Sequence, residues 1–299
     1  MDRKRSYYED VQFFSSGAVL FWFALLAAFL AVFPFLFSNY SVYVANYIAI
    51  NVIVVVGLNI LVGYTGLISL GHAGFFAIGA FGTLIFMTKL SLPFLAALPA
   101  AALVAAFFGF LLGLPALRLE GPYLAIATLG FGLTVTQIIG KIKFFGGRQG
   151  IHAPELTLFG WHLDSDRSFY YLCLVIAAAL TAFAGNVVKT RFGRALVAIR
   201  DADTAAQATG VNLVFHKTLA FALSAFYAGV GGGLYAFVLR FIEPEIFSLL
   251  MSIMFLAMVV VGGLGSITGS VIGAVLLSWL DLQLRNILSI PFLGQWIES

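Results

Sequence analysis

Charged side chains are scarce in this chain, and their scarcity decides its class. Only 10% of the 299 residues are Asp, Glu, Lys or Arg, whereas 62% are hydrophobic. Soluble domains average about 25% charged and 45–50% apolar residues. So few charges cannot cover the surface of a water-soluble fold of this length. The composition therefore predicts an all-α polytopic bundle of transmembrane helices, with residues 1–299 forming a single membrane domain.

Other absences exclude several kinds of chemistry. The one cysteine, Cys173, rules out an intrachain disulfide and a CxxC metal or redox site. The sequence contains no G-x-x-x-x-G-K-[ST] motif for ATP, and its four histidines have no metal-ligating spacing. The basic residues are scattered rather than clustered, which argues against nucleic-acid binding. We therefore expect no catalytic residue, no metal site, no cofactor and no enzyme activity.

The spacing of the charges predicts about nine transmembrane spans, with eight or ten as alternatives. A spanning helix needs about 20 apolar residues, so the charge-free stretch 11–88 holds three. Later charge-free runs hold one span each, except the last, which four closely spaced glycines divide into two. The predicted spans are residues 18–37, 42–62, 70–88, 90–117, 121–140, 168–188, 218–239, 247–261 and 267–284. A short apolar run, 286–297, is a candidate partial span and leaves the side of the C-terminus open.

No predicted span carries an acidic or basic residue near its centre. Proton-coupled and ion-coupled carriers usually expose such a residue. Without it, and without an ATP-binding motif, no energy source inside the chain is evident. Two alternatives follow: the chain is a passive pore, or another subunit drives it.

The distribution of basic residues predicts the orientation in the membrane. The N-terminal residues MDRKR precede an apolar stretch too long for a signal peptide, so we expect an uncleaved first helix with a cytoplasmic N-terminus. This orientation places residues 118–121 and 189–217 in the cytoplasm, and the second segment holds the strongest basic cluster. Residues 141–167 and 240–245 are then external, and Glu243 and Glu245 offer charges to which an external protein can dock. A plain solvated loop is the alternative.

The cytoplasmic segment RFGRALVAIRDADTAAQATGVNL, residues 191–213, carries helix signals of its own. Residues 194–200 are predicted as a helical tail of the preceding span. Thr204 and Gln207 have the spacing of a capping box, and Gly210 stands where a helix ends in the left-handed conformation. A short helix over 205–209 follows from these signals. Its small residues would let a partner approach closely, and a simple connecting loop is the alternative.

The stretch GLNILVGYTGLISLGHAGFFAIGA, residues 57–80, is interrupted by six glycines. Broken helices occur in membranes only where the backbone faces protein or a water-filled path, and in transporters they indicate binding sites. The segment is therefore a candidate translocation path, although each glycine by itself is explained by close helix packing. Its candidate polar contacts are Asn59, Tyr64, Thr65, Ser69 and His72.

Four further glycine pairs have the four-residue spacing that brings helix backbones together in membranes. Whether they pack within the chain or against a second subunit is left open by the sequence. The pairs are Gly109/Gly113, Gly229/Gly233, Gly265/Gly269 and Gly269/Gly273.

Five stretches, distributed over most of the chain, carry a family resemblance. They are residues 57–80 and 191–213, quoted above, with LRLEGPYLAIATLGFG (117–132), FALSAFYAGVGGGLYA (221–236) and MVVVGGLGSITGSVIGA (258–274). In their order along the chain they resemble the LivM-type permease subunit of bacterial ABC importers for branched-chain amino acids. The resemblance implies a multi-pass permease of the bacterial cytoplasmic membrane, carrying hydrophobic amino acids through the lipid bilayer.

The same resemblance implies partners and contact residues. The partners are a second permease of the LivH type, two ATPase subunits of the LivG and LivF types, and an external substrate-binding protein. Residues 189–217 become the cytoplasmic coupling loop, and its expected ATPase contacts are Arg194, Ala195, Ala198, Asp201, Thr204, Ala205, Ala206 and Gly210. Relatives of the family carry urea, short amides or other amino acids, and no residue separates these substrates. A self-contained channel or facilitator remains the competing class.

Overall fold

A computed structural model describes residues 17–117, 119, 121–158, 161–162 and 165–288. The predicted basic N-terminus and the part of the predicted C-terminal span after residue 288 lie outside them. The described residues form eleven helices: α1 Gly17–Leu36, α2 Asn39–Thr65, α3 His72–Thr88, α4 Phe94–Gly113, α5 Pro122–Lys141, α6 Asp166–Lys189, α7 Arg191–Asp201, α8 Asp203–Ala208, α9 Leu213–Leu239, α10 Leu249–Gly262 and α11 Ile267–Leu288. Short 3₁₀ turns follow α4 and α5 and precede α10.

The helices confirm the predicted all-α polytopic class. Each of the nine predicted spans corresponds to one helix, whereas α7 and α8 are short and lie between two spans. Within the described part of the chain, seven helices are long and apolar enough to cross a membrane. Helix α3 and the apolar part of α1, Ala24–Leu36, are shorter.

In the part of the chain that the structure describes, four two-residue strands lie in the connections. Strand β1, Ile151–His152, pairs antiparallel with β4, Phe241–Ile242, and so joins the loop after α5 to the loop after α9. Strand β2, Thr157–Leu158, pairs with β3, Trp161–His162, in a small hairpin.

The bundle has two ends, which two contacts of α2 identify. Near the start of α2, Asn46 Nδ2 donates to the Asp166 carbonyl at 3.2 Å. Near its end, the Arg200 guanidinium donates to the Gly63 carbonyl at 2.8 Å. We call these ends the Asp166 end and the Arg200 end. The β1–β4 pairing lies at the first, and α7 and α8 lie at the second.

Helices α2 and α9 form the centre of the bundle, where α9 packs against α2, α3 and α4. Close packing rests on small residues. A Cβ on Gly229 of α9 would lie 2.9 Å from Ala102 of α4, and a Cβ on Gly269 of α11 would lie 2.1 Å from the Gly262 carbonyl oxygen of α10. The glycine pairs of the sequence therefore pack within this chain, between its own helices.

Candidate functional site

The connection between α2 and α3 runs inside the bundle. Helix α2 ends at Thr65, and the following Gly66, with its positive φ of 73°, turns the chain. Residues 66–71 lead back to the start of α3 without forming a helix. There His72 is fully buried, and its Nε2 lies 2.7 Å from the hydroxyl of Ser224, near the middle of α9. Helix α3 therefore begins about halfway through the bundle. This is the broken-helix arrangement that membrane proteins use around binding sites.

Neutral polar groups surround the start of α3. His72 Nδ1 lies 3.0 Å from Ser69 Oγ, so each ring nitrogen faces a hydroxyl, which can donate or accept as the imidazole tautomer requires. Thr128 Oγ1 accepts from the Leu70 N–H at 3.0 Å. Ser252 Oγ accepts from the Ala73 N–H at 2.9 Å. The site thus offers hydrogen bonds without a formal charge.

Two helices begin beside one narrow cavity at this place. The cavity of about 10 Å³ lies between the start of α3, the start of α10 and the side of α5, and Leu70, Gly132, Phe247 and Leu249 are among its lining residues. It holds about one water molecule, so no open path passes through it. Helix N-termini carry partial positive charge, and two of them at one site suit a carboxylate.

Helix α5 approaches the broken segment closely. A Cβ on Gly71 would lie 2.1 Å from the Thr128 carbonyl oxygen, and a Cβ on Gly74 would lie 2.8 Å from Gly132 Cα. These glycines of the 57–80 stretch therefore permit close packing, which is the explanation that the sequence offered for each glycine by itself. Gly71 and Gly74 bring the start of α3 into contact with the backbone of α5 at the narrow cavity.

The five predicted path residues fall into two groups. Ser69 and His72 lie at the start of α3, whereas the other three lie near the end of α2. Asn59 Nδ2 donates to the Ser266 carbonyl at 2.8 Å, and its Oδ1 accepts from the Gly265 N–H at 3.0 Å, so this amide fixes the turn between α10 and α11. Tyr64 is buried, and Thr65 Oγ1 donates to the Leu61 carbonyl of its own helix.

Three polar residues of the site were not singled out from the sequence. Thr128 and Ser224 lie inside stretches that carry the family resemblance, but each is a lone hydroxyl in an apolar run. Ser252 lies in no motif. A polar residue in an apolar run was the only available signal, and it does not distinguish a residue facing the site from one bonded within its own helix.

The predicted cytoplasmic helices are present with two corrections. Residues 194–200 do not extend the preceding span, because α6 ends at Lys189, Thr190 is extended, and α7 begins at Arg191. The predicted capping box is also wrong: α8 begins at Asp203, Ala202 precedes it without a side-chain cap, and Thr204 lies inside the helix.

The end of α8 agrees with the sequence. Gly210 has φ of 88°, the Gly210 N–H donates to the Gln207 carbonyl at 3.0 Å, and the Val211 N–H donates to the Ala206 carbonyl at 3.1 Å. These two bonds are the Schellman pattern that glycine favours at a helix end. The left-handed Gly210 predicted from the sequence is therefore confirmed.

The expected ATPase contacts lie mostly on the outer surface of α7 and α8. Ala195 and Ala198 are half-buried, and Ala206 is buried against the bundle. The exposed members are Arg194, Asp201, Thr204, Ala205 and Gly210. Helix α7 turns Leu196 and Ile199 inward, so the segment is an amphipathic platform at the Arg200 end.

Two side-chain contacts tie this platform to the bundle, a hydrogen bond from Arg200 and an ion pair of Asp203. The Arg200 guanidinium, which donates to the Gly63 carbonyl, also lies 3.4 Å from the Asp201 carboxylate. Asp203 of α8 pairs with the buried Lys217 of α9. Side chains of α7 and α8 therefore contact the end of α2 and the start of α9.

The predicted docking carboxylates lie at the opposite end of the bundle. Glu243 is half-buried and precedes the 3₁₀ turn Pro244–Ile246 before α10, whereas Glu245 is exposed and lies within that turn. This turn leads directly to the start of α10 at the narrow cavity.

Comparison with known proteins gives a consistent family. A family model described as "Branched-chain amino acid transport system / permease component" matches residues 40–298. Two curated relatives, both high-affinity branched-chain amino acid transport system permease proteins LivM, come from Salmonella typhimurium and Escherichia coli. Each is 38% identical, over 86% of this chain and 66% of the relative. This chain therefore spans slightly less than two thirds of their length.

A more distant relative is the probable branched-chain amino acid transport permease protein LivM of Methanocaldococcus jannaschii. It is 27% identical over 66% of this chain and 61% of the relative. No solved structure matches the chain.

Proposed function

This chain belongs to the family of permease components of branched-chain amino acid transport systems, and on that premise we propose that it is the membrane-spanning permease subunit of an ATP-driven ABC importer. Its substrate is a branched-chain amino acid, which an external binding protein delivers. The chain itself hydrolyses no ATP. It works in the bacterial cytoplasmic membrane with a second permease of the LivH type and two ATPase subunits of the LivG and LivF types.

The observation that carries the proposal is the start of α3 inside the bundle. The partial positive charge at the N-termini of α3 and α10 suits a carboxylate. The hydroxyls of Ser224 and Ser252 and the imidazole of His72 supply neutral hydrogen-bonding groups. Leu70 and Phe247 supply apolar contact. A small zwitterion with an aliphatic side chain fits this combination. Because the narrow cavity holds about one water molecule, the substrate passes only when the helices around it move apart.

Energy enters at the platform formed by α7 and α8. The ATPase subunits contact its exposed face, and the Arg200–Gly63 and Asp203–Lys217 contacts transmit their closure to α2 and α9. The loaded binding protein docks at the Asp166 end, where Glu243 and Glu245 lie near the start of α10. The helices then rock between conformations open to one side and to the other, and the substrate crosses past the start of α3.

Uptake of radiolabelled leucine into proteoliposomes tests the proposal. The vesicles hold this chain with its partner subunits, and ATP and binding protein are each added or omitted. We expect uptake only when both are present. Uptake by this chain alone, indifferent to ATP, would instead establish the self-contained channel.

Competition in the same vesicles identifies the substrate. We expect unlabelled isoleucine and valine to reduce leucine uptake, and urea and short amides to leave it unchanged. Stronger competition by urea than by valine would indicate that the substrate is urea or a short amide. The uncharged site makes this comparison necessary, because it is compatible with urea as well as with an aliphatic zwitterion.

A further inference from the structure

A second, larger cavity lies at the Asp166 end, separate from the narrow cavity at the start of α3. Its volume is about 280 Å³, close to the lower limit of about 300 Å³ for small-molecule sites. Its walls are formed by the first turns of α2, residues 153–156, the start of α6 and the end of α9. The pairing of β1 with β4 and the bond from the Ala153 N–H to the Arg240 carbonyl, at 2.8 Å, hold these walls together.

One wall of this cavity carries a buried amide with an unused acceptor. Asn46 is 2% exposed, and its Nδ2 donates to the Asp166 carbonyl. That bond fixes the orientation of the amide, because the opposite orientation would set two oxygens against each other. Among the described residues, none donates to Asn46 Oδ1. A buried acceptor without a donor is costly, so its presence beside a cavity points to a ligand that supplies an N–H or O–H group.

The charges around the cavity indicate which hydrogen-bond donor group a bound ligand carries. The carboxylates of Glu155 and Asp166 and the guanidinium of Arg240 line the cavity, and they leave one excess negative charge. Arg240 lies 3.7 Å from Asp166, so the positive group stands at one side of the site. The aromatic rings of Phe169 and Phe237 supply an apolar wall. An ammonium group, a carboxylate and an aliphatic side chain each find a matching surface.

We propose that this cavity is an outer vestibule that binds the free amino acid before it reaches the start of α3. The ammonium group donates to Asn46 Oδ1 beside Glu155 and Asp166, the carboxylate faces Arg240, and the aliphatic side chain contacts Phe169. This inference deepens the proposed function and takes its substrate class from it. The excess negative charge makes the ammonium group the stronger determinant of binding.

Saturation-transfer NMR with L-leucine tests the vestibule, using the complex with its partner subunits in lipid nanodiscs without binding protein. Two leucine analogues compete: 3-methylbutylamine lacks the carboxylate, and 4-methylpentanoate lacks the amine. We expect the amine to displace leucine and the acid to be at least about tenfold weaker, since a hydrogen bond to a charged group is lost. Equal competition by the two analogues would overturn the proposal.

Variants locate the binding. Asn46→Leu keeps the side-chain shape without the acceptor, and we expect it to weaken leucine binding about tenfold or more, with Asn46→Asp retaining it. Arg240→Gln should weaken binding of leucine but not of 3-methylbutylamine, whereas Arg167→Gln, an exposed residue outside the cavity, should change neither. Unchanged leucine binding in a folded Asn46→Leu complex would overturn the proposal of a vestibule. If the Asn46→Leu complex does not fold, unchanged leucine binding in Arg240→Gln would overturn it instead. Loss of leucine binding in Ser252→Ala, together with unchanged binding in Asn46→Leu, would also overturn the proposal, because this pattern places the bound leucine at the start of α3.

ATP-dependent uptake by the same wild-type complex separates the two proposals. Uptake without detectable leucine binding at the vestibule overturns this inference and leaves the proposed function intact. Leucine binding that responds to Asn46→Leu, without ATP-dependent uptake, overturns the importer and leaves the vestibule.

Discussion

Buried asparagines on α2 hold α10 and α11 in place. Asn59 donates to Ser270 Oγ at 2.5 Å in addition to its bonds with Ser266 and Gly265, so both ends of its amide are used. Asn51 makes one such bond, to Ser278 Oγ at 2.8 Å. Because a bundle in lipid has no water to replace these partners, each bond fixes the register between α2 and α11.

At the residue scale, Asn59→Ala should destabilise the chain more than Asn51→Ala. The first change leaves the Gly265 N–H without its acceptor, and we expect a cost of at least about 2 kcal/mol, against about 1 kcal/mol for the second. Unfolding of the purified chain in mixed micelles with increasing SDS measures both. Equal losses in the two variants would contradict the role assigned to Asn59 in the α10–α11 turn.

Helix α7 contacts the bundle through Arg200 as well as through its buried face. Arg200 stands at its C-terminal end, bonded to the Gly63 carbonyl, and a Cβ on Gly265 would lie 3.1 Å from its guanidinium. One residue therefore contacts both the end of α2 and the α10–α11 turn. It was not among the coupling residues expected from the sequence, because only the packing of α7 against α2 brings it to these backbones.

At the element scale, Arg200→Gln should reduce coupling between ATP hydrolysis and uptake. We expect leucine taken up per ATP hydrolysed to fall severalfold while the hydrolysis rate is retained, since the ATPase contacts on the exposed face remain. The matched control is Arg191→Gln, at the other end of α7. Parallel measurement of phosphate release and leucine uptake in proteoliposomes provides the ratio, and a ratio equal to that of the control would refute this role.

Helices α3 and α5 approach each other through glycine backbones, and α5 itself offers a matched pair of positions. A Cβ on Gly132 would lie 3.2 Å from Gly71 Cα, whereas a Cβ on Gly130 would meet nothing within 4 Å. The two residues therefore separate the effect of side-chain size from the effect of contact with the broken segment.

The second element-scale prediction uses this pair. Gly132→Leu should destabilise the chain by about 1–3 kcal/mol through overpacking and abolish uptake by displacing α5 from the start of α3. Gly130→Leu should change stability by no more than about 0.5 kcal/mol, as exposed substitutions usually do, and retain uptake. SDS unfolding and leucine uptake measure the two effects, and full uptake in Gly132→Leu would show that this close approach is dispensable.

At the scale of the whole molecule, the bundle separates two surfaces to which we assign functions. The platform of α7 and α8 lies at the Arg200 end, and the cavity beside Asn46 lies at the Asp166 end with Glu243 and Glu245. The narrow cavity at the start of α3 lies between them. In the proposed function, delivery, passage and energy input therefore lie along one axis across the membrane.

Labelling with a membrane-impermeant maleimide checks this orientation. Cys173 is buried and is replaced by alanine, after which Glu245→Cys and Thr209→Cys each supply one exposed thiol. In intact cells that express the chain without its partners, we expect labelling of Glu245→Cys only. Permeabilised cells should label both, and the reverse pattern in intact cells would invert the predicted topology.

The sequence by itself determined the class, the approximate spans and the family of this protein. Long charge-free runs can satisfy their backbone in a membrane only as helices, so the positions of nine apolar helices followed from composition and charge spacing. Among the described residues, seven of them are long and apolar enough to cross a membrane. The left-handed Gly210 followed from local backbone preference. The five stretches that carry the resemblance also identified the family, whose model covers residues 40–298.

Only the tertiary structure decided which polar side chains share a site. It placed Ser69 and His72 at the start of α3, away from Asn59, and brought Ser224 and Ser252 to the same place. It also placed Arg200 against the end of α2 and Asn46 against the start of α6. These contacts join residues far apart in sequence, and in an apolar run nothing marks the direction in which a lone hydroxyl or amide points. The sequence specifies where helices form, whereas the packing of glycine backbones specifies which of their polar groups meet.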